Sequence, residues 1–414
     1  MDAPCTCAST ARTTPPKTNS ARARNLLCAL GAAVALVFAS CASPSSQPRE
    51  PVRSVRGPGL IALPSVEQPA PQLSATPPHP SSAPPLPAPL PAQAALARKT
   101  GTAADNALLQ GDAAYQADQF EQAADAYGRA AKLAPKDPAP LVGLARVTIA
   151  RTAVPTDFAS APGHPRIIAA LGELQKAIKL DATFAPAHLE AGRALLILGK
   201  AADALAALRK AVALDDSSPE AHSALGVALL ATGQGEEAAQ QLARAVELDP
   251  ANPARLTNLG TALVMRGRNA EAVQVFERAA ALAPDDARIR GALGTTLLAL
   301  REVQRAMPQL RRAVQLAPDN ARYHSNLGYA LQLLVDYPAA ETEYRKAIEL
   351  DPSLASAWIN LGTLLAQTGK RDEARKAFER ARDLDPTDPR PIANLQELAA
   401  LADAGTPQPD AARR

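Results

Sequence analysis

The stretch that decides the fold is "GVALLATGQGEEAAQQLARAVELDPANPARLTNLG", which runs from Gly226 to Gly260 and begins and ends on glycines 34 residues apart. Glycine recurs at this spacing along the chain, at Gly192, Gly226, Gly260, Gly294, Gly328 and Gly362. Alanine stands twelve residues after each glycine and again seven residues later, with a large apolar residue between the two alanines. A period of this length indicates an array of stacked supersecondary units.

The residues at these positions have a packing role. Glycine and alanine let two antiparallel helices approach closely, and a large residue such as Leu242 or Phe276 fills the space between them. A proline then closes all but the first of these six units and prevents the second helix from continuing. The closing residues are Pro250, Pro284, Pro318, Pro352 and Pro386. Because no unit could bury its apolar face alone, we expect the units to stack.

This small-large-small pattern with a closing proline resembles the tetratricopeptide repeat, and six consecutive units match it without a gap. Two upstream units also fit, one with Gly111 and the next with Ala145 in place of the glycine. An insertion at residues 151–165 lengthens the turn of the second unit and is expected to be an exposed loop. The resemblance implies an all-α fold, a right-handed α-solenoid of about eight helix-turn-helix repeats over residues 99–401, with a capping helix from Pro389 to Leu401.

Two prolines lie inside the predicted second helices. Pro308 falls well within the second helix of the sixth unit, where a missing backbone bond is expected to kink the helix. Pro338 falls in a first helical turn, where proline is tolerated. The array is therefore predicted to be regular except near Pro308.

The amino terminus has the anatomy of an export signal. Arg22 and Arg24 precede an apolar run of 14 residues, 26–39, which is shorter than the roughly 20 residues of a spanning helix. The sequence from Phe38 to Cys41 resembles a bacterial lipoprotein processing site, although Leu is more usual where Phe38 stands. Cleavage before Cys41 would leave one thiol in the mature chain, at the position where a lipid is attached. The alternative is ordinary cleavage after Ala42, which leaves a soluble periplasmic or secreted protein.

The sequence therefore divides into a signal peptide (1–40), a lipidated Cys41 with a linker (41–98), the solenoid (99–401) and a disordered tail (402–414). Residues 42–98 include 15 prolines and few bulky side chains, so they are predicted to form a disordered spacer. A proline motif that docks a partner is the alternative. Ala42 after the cysteine resembles lipoproteins of the outer membrane, which favours an outer-membrane location facing the periplasm.

A candidate site follows from the family resemblance. In the repeat family the first helices line a concave groove, and the residue two before the glycine points into it. Asparagine at this position resembles the ladder that binds peptide backbone in the long arrays attached to the O-linked N-acetylglucosamine transferase. The ladder here is Asn258, Asn326, Asn360 and Asn394, and three arginines, Arg288, Arg322 and Arg390, lie one helical turn before ladder positions. We expect these side chains to be exposed and to bind a peptide; the alternative is that they only solvate their helices.

Other functions are poorly supported by the residues. The four cysteines end at Cys41, and the body has no phosphate-loop pattern, so no catalytic residue, cofactor or metal site is predicted. His188, His222 and His324 occupy equivalent positions in different units, too far apart for a shared metal. Eight of the 44 Lys and Arg but only three of the 41 Asp and Glu precede Lys99, so the rest of the chain has a charge near −2 and no basic excess for nucleic acid.

The sequence thus predicts a non-enzymatic protein–protein interaction scaffold of the bacterial cell envelope. Its partners are expected to be peptides or proteins held in the groove, with the membrane reached through a lipid anchor, and no small-molecule substrate is predicted. The alternative is a structural assembly factor for an envelope, pilus or secretion complex that packs through its convex or end surfaces.

Overall fold

The computed structural model describes residues 95–152 and 159–404. Within these ranges the chain forms seventeen α-helices, which follow a segment without regular secondary structure at residues 95–102. Sixteen helices pair into eight helix-turn-helix units and the last stands alone, so the predicted helical repeat architecture is confirmed. The predicted signal peptide, Cys41, nearly all of the linker and most of the tail lie outside the described residues.

Each unit consists of a first and a second helix. The first helices are α1 (Ala103–Gln116), α3 (Ala139–Ala150), α5 (Ala185–Ile197), α7 (Pro219–Ala231), α9 (Pro253–Met265), α11 (Ala287–Ala299), α13 (Ala321–Leu333) and α15 (Ala355–Gln367). The second helices are α2 (Phe120–Leu133), α4 (Pro165–Leu180), α6 (Ala201–Leu214), α8 (Gly235–Leu248), α10 (Asn269–Leu282), α12 (Val303–Leu316), α14 (Tyr337–Leu350) and α16 (Arg371–Leu384). The capping helix is α17 (Pro389–Ala404).

Local sequence signals begin the first helices. The side chain of Asn252 accepts hydrogen bonds from the backbone N–H groups of Ala254 and Arg255, and Asp286 does the same at the start of α11. These caps satisfy N–H groups that have no partner inside the helix. Five of the eight first helices, namely α1, α7, α9, α11 and α13, begin with such a cap.

The turn inside a unit needs a left-handed residue. In four units it is a glycine with φ between +72° and +80°, namely Gly199, Gly233, Gly267 and Gly369. Arg301 and Val335 take the same place in the sixth and seventh units with φ of 62° and 63°. Because a β-branched side chain strongly disfavours this conformation, Val335 is a strained position.

The two helices of a unit pack through the periodic glycine. A Cβ atom on Gly294 would lie 2.6 Å from Cγ of Leu310, and one on Gly260 would lie 2.6 Å from Cε1 of Phe276. Both large side chains are fully buried. The predicted role of the small and large residues is thus present in the structure, since a side chain on the glycine would push the helices apart.

Neighbouring units pack mainly through the second helix of one unit and the first helix of the next. The backbones of consecutive first helices are in contact, whereas the second helices are joined by long side chains, as in the ion pair of Arg209 with Glu237 at 2.8 Å. Arg345 and Glu373 form an equivalent pair at 3.3 Å. We call the surface of the first helices the inner face and that of the second helices the outer face.

Two irregular features were singled out from the sequence. Helix α12 runs from Val303 to Leu316 through Pro308, and the kink at this proline stays a prediction. In the insertion, the N–H of Ala159 donates to the carbonyl of Leu196 at 2.9 Å, and the N–H of Ala161 donates to that of Ile197 at 3.1 Å. The described end of this loop is therefore bound to α5 at these two residues, while residues 162–163 are exposed.

Candidate functional site

The predicted asparagine ladder lies on the inner face, where it links consecutive first helices. The Nδ2 atom of Asn326 donates to Oγ1 of Thr295 in the preceding unit at 2.8 Å. Asn360 and Asn258 reach hydroxyls of their preceding units, Ser325 at 3.3 Å and Ser223 at 3.5 Å. These amides connect one unit to the next.

The ladder is buried, contrary to the expectation that it is exposed. Asn258 and Asn360 have 0% of their surface accessible, Asn394 has 4% and Asn326 has 6%. The first helices approach closely enough for each amide to sit against the helix before it, which removes it from solvent. The Oδ1 atom of Asn360 is buried with no hydrogen-bond partner among the described residues. Binding of a peptide by these four residues stays a prediction.

The three predicted arginines differ in their ion pairs. Arg288 contacts Asp286 at 3.0 Å, and Arg390 contacts Asp388 at 2.6 Å, in both cases a residue at the start of the same helix. In α13 the corresponding cap is the neutral Asn320, whose side chain accepts from the backbone N–H of Arg322. Arg322 is exposed, and within the described chain its guanidinium makes no ion pair.

The inner face of the second and third units is chemically different. Arg146 donates to Glu190 at 3.1 Å, and Arg193 lies 3.8 Å from the same carboxylate oxygen. All three side chains are buried. Burial raises the pKa of the nearby Tyr115 phenol, and the Glu190 carboxylate raises it further. A closed ion cluster thus occupies the inner face here. In the later units amides and hydroxyls link the first helices, and the buried Arg255 forms an ion pair with Glu220 at 2.8 Å.

One recurring position was missed from the sequence. This position lies four residues before the periodic glycine of a first helix. Its side-chain nitrogen, from an aromatic ring or a guanidinium group, contacts a backbone carbonyl in the loop that precedes the helix. The distances are 2.9 to 3.0 Å in His222, Arg290, His324 and Trp358. His188 makes the same contact with Ala182 at 3.0 Å. The signal in the sequence was the histidine repeated at this position. The structural role of the position is to bind the loops between units.

Neither a metal centre nor a spanning helix is found in the described parts of the chain. Over residues 95–152 and 159–404, no three His, Cys, Asp or Glu side chains converge as metal ligands. None of the helices in those ranges combines the length and the apolar character needed to cross a bilayer.

Sequence models of the tetratricopeptide repeat match the chain at residues 167–219, 189–253, 223–287, 263–327 and 326–389. Together the matches cover residues 167–389 without a break, which is more than half of the chain. The chain therefore belongs to the tetratricopeptide-repeat family. Members of this family are typically modules that bind peptides or proteins rather than enzymes. No curated protein matches the chain.

Three solved structures are similar to parts of the chain. The APC/C hetero-tetramer Cut9–Hcn1 is 16% identical, with 73% of this chain and 57% of that chain covered and a TM-score of 0.53. Pseudomonas aeruginosa pilF is 24% identical, and the match covers 53% of this chain and 98% of that chain with a TM-score of 0.46. YrrB, described as a TPR protein with an unusual peptide-binding site, is 23% identical. The match covers 46% of this chain and 97% of that chain with a TM-score of 0.38. These likenesses concern the fold alone.

Proposed function

We propose that this protein is a non-enzymatic interaction scaffold of the bacterial cell envelope. Its partner, an extended peptide or the surface of another protein, binds the inner face of units five to eight and the capping helix. The seven residues predicted from the sequence, Asn258 to Asn394 and the three arginines, all belong to this part of the array.

The observation that carries the proposal is the exposed guanidinium of Arg322. Its two counterparts are each paired with an aspartate of their own helix, but the cap of α13 is the neutral Asn320, and no carboxylate of residues 95–152 or 159–404 pairs with Arg322. An arginine with no ion pair can form a charge-assisted, bidentate hydrogen bond to a carboxylate of a ligand. The partner is therefore expected to carry an acidic group where it crosses α13.

We assign different roles to the asparagines. Asn326 and Asn394 retain 6% and 4% of their surface, so their edges contact the ligand. Asn258 and Asn360 are fully covered and support the neighbouring helices instead.

The test is a crosslinking pull-down from native membranes with the wild-type chain and with Arg322→Glu as baits. A partner that is captured by the wild type should be lost from the variant, because the new carboxylate repels the acidic group of the ligand. Arg311→Glu is the matched control, since Arg311 is an exposed arginine of the second helix α12 and the change in charge is the same. Equal capture by all three baits would contradict the proposed site.

We propose that the scaffold is held at the outer membrane through a lipid on Cys41. The proposal rests on the sequence that leads to Cys41 and on the single thiol that cleavage would leave. Wild-type protein should incorporate a fatty-acid analogue and fractionate with membranes, and Cys41→Ala should do neither. Exported wild-type protein that stays soluble and unlabelled would instead indicate a soluble periplasmic or secreted protein.

The assembly-factor alternative also has a specific observation in its favour. In the turn between α13 and α14 of the seventh unit, Leu334 and Val335 are 38% and 66% exposed, which gives an apolar projection at this turn. A protein that packs against this turn would bury both side chains. Loss of partner capture in Leu334→Ser with Val335→Ser, and normal capture in Arg322→Glu, would favour this function over groove binding.

A further inference from the structure

The segment just before the first helix has no regular secondary structure and lies against α1 of the first unit. We call residues 95–100 the strap. Leu96 is only 2% exposed and packs with Ala107 and Leu108 of α1 in the core of the first units. The sequence had assigned residues 95–98 to the disordered linker, so this ordered contact is new.

Two buried carboxylates bind the strap through its backbone. The N–H groups of Leu96 and Ala97 donate to Oδ2 of Asp112 at 2.7 and 2.9 Å. The N–H of Arg98 donates to Oδ1 of Asp105 at 2.7 Å. Asp112 and Asp105 are 7% and 4% exposed. Three consecutive N–H groups of the strap are thus held by acidic side chains of one helix.

The side chain of Arg98 extends the contact beyond the first unit. Its Nη1 and Nη2 atoms donate to the two oxygens of Asp137 at 2.9 and 3.1 Å, which is a bidentate pair. Its guanidinium carbon lies 5.3 Å from the centroid of the Phe184 ring, within the range of a cation–π contact. Asp137 precedes α3 and Phe184 precedes α5, so Arg98 contacts the loops that lead into the second and third units.

The position of Asp105 in its unit is informative. It lies six residues before the periodic Gly111, and the same position is occupied by Arg288 and Arg322 in the sixth and seventh units. The inner face is therefore acidic at its amino-terminal end, where the strap lies, and has basic side chains towards its carboxyl-terminal end. A ligand suited to one end is unsuited to the other.

We propose that the inner face of the first unit is a second peptide site, and that the strap is its intramolecular ligand. The site takes a chain in the conformation of the strap, with a leucine followed two residues later by an arginine. Asp105 and Asp112 bind the ligand backbone, the core beneath Leu96 takes the leucine, and Asp137 with Phe184 takes the arginine. An outside chain of this type has to displace the strap, so the site is closed by default. This proposal does not depend on the groove of units five to eight.

The test uses the full chain with the strap disabled by Leu96→Asp and Arg98→Glu. The probe is a fluorescent peptide of residues 92–100, AQAALARKT, and its binding is measured by anisotropy. The disabled chain should bind the peptide more tightly than the wild-type chain by a factor on the order of 100 or more, because the tethered strap competes at a high effective concentration. A peptide with the same two substitutions should not bind.

Two measurements could each overturn the proposal. One is the binding measurement, if a disabled chain with normal helical content binds the peptide no better than the wild type does. The other comes from native-state hydrogen exchange in the unaltered chain. The amides of Leu96 and Ala97 should be protected yet exchange faster than the core amides of α1, since the strap opens on its own. Protection equal to that of the core would mean that the strap is a permanent end cap and not a displaceable ligand. Amides without protection would mean that the strap is not bound in solution.

Discussion

Nδ2 of Asn326 lies 2.8 Å from Oγ1 of Thr295, and this hydrogen bond joins α13 of the seventh unit to α11 of the sixth. Thr295 also donates to the carbonyl of Gly291 at 2.8 Å, so the hydroxyl is satisfied on both sides. An asparagine on the inner face is therefore part of the interface between units. Its substitution tests packing as well as binding.

Asn326→Ala should lower the free energy of unfolding by about 0.5–1.5 kcal/mol, because it removes one net hydrogen bond between units. Urea unfolding followed by circular dichroism measures the change. Gln274→Ala on the exposed side of α10 is the control and should leave the midpoint unchanged. Identical midpoints for Asn326→Ala and wild type would mean that the amide contributes nothing to stability and serves the ligand alone.

Gly294→Leu should destabilise the array by about 1–3 kcal/mol or more, because a Cβ atom there would already lie 2.6 Å from Leu310. Gly128 in α2 is the matched control, since a Cβ atom on it meets no other atom within 4 Å. Gly128→Leu should be neutral or stabilising, because leucine favours a helix more than glycine does. The two melting temperatures should move apart; a similar loss in both variants would refute the close approach at Gly294.

Val335→Gly should stabilise the protein by about 1 kcal/mol. Val335 has φ of 63°, a conformation that costs an L-residue roughly 1–2 kcal/mol and a glycine much less. Gly369→Val introduces the same residue at the equivalent turn of the eighth unit, where φ is 80°, and should destabilise it. Thermal unfolding of both variants checks the opposite signs. If Val335→Gly lowers the melting temperature, the valine side chain contributes more through packing than its backbone costs.

Asp105→Asn should change how stability depends on pH. Burial acts to raise the pKa of Asp105, but hydrogen bonds from Arg98 and Thr100 outweigh it and leave the pKa below its ordinary value of 3.8. Because the folded pKa is lower than the unfolded one, the stabilisation is complete above pH 3.8 and is lost as the pH falls through the folded value.

The measurement is the difference in unfolding free energy between wild type and Asp105→Asn across the pH range. The difference should be constant above about pH 5 and shrink below 3.8, where the wild-type carboxylate takes up its proton. Comparing the two chains cancels the effect of other aspartates such as Asp286, whose pKa is also lowered. A difference that stays constant down to pH 2 would show that the strap does not depend on the Asp105 charge.

The repeat could be predicted because its signals are local to each unit. Gly294 and Leu310 are 16 residues apart in the sequence and meet inside one unit, so the spacing alone fixes their contact. The same holds for the caps at Asn252 and Asp286 and for the glycine turns. These features give the helix bounds and their pairing without reference to other units.

The candidate site depends on distances between units, which the sequence does not contain. Whether Asn360 is exposed depends on how closely α15 approaches α13, and Ser325 accepts its hydrogen bond only at that spacing. The strap was missed for a different reason. The proline-rich composition of residues 42–98 predicts disorder for the whole segment, so the few residues that bind α1 could not be distinguished from the rest. The signal in the sequence was the presence of two acidic residues, Asp105 and Asp112, on the predicted first helix. If both were buried, they would need hydrogen-bond donors from another segment.

The contacts of Arg98 make the two ends of the array unequal. The amino-terminal end is fastened across three units by one side chain, whereas the carboxyl-terminal end is closed by α17, which packs on α15 and α16 only. In a chain where each unit is stabilised by its neighbours, local unfolding begins where fewest contacts hold the end. Opening should therefore spread from the carboxyl terminus unit by unit, so that units five to eight, which carry the proposed groove, loosen before the strapped end does.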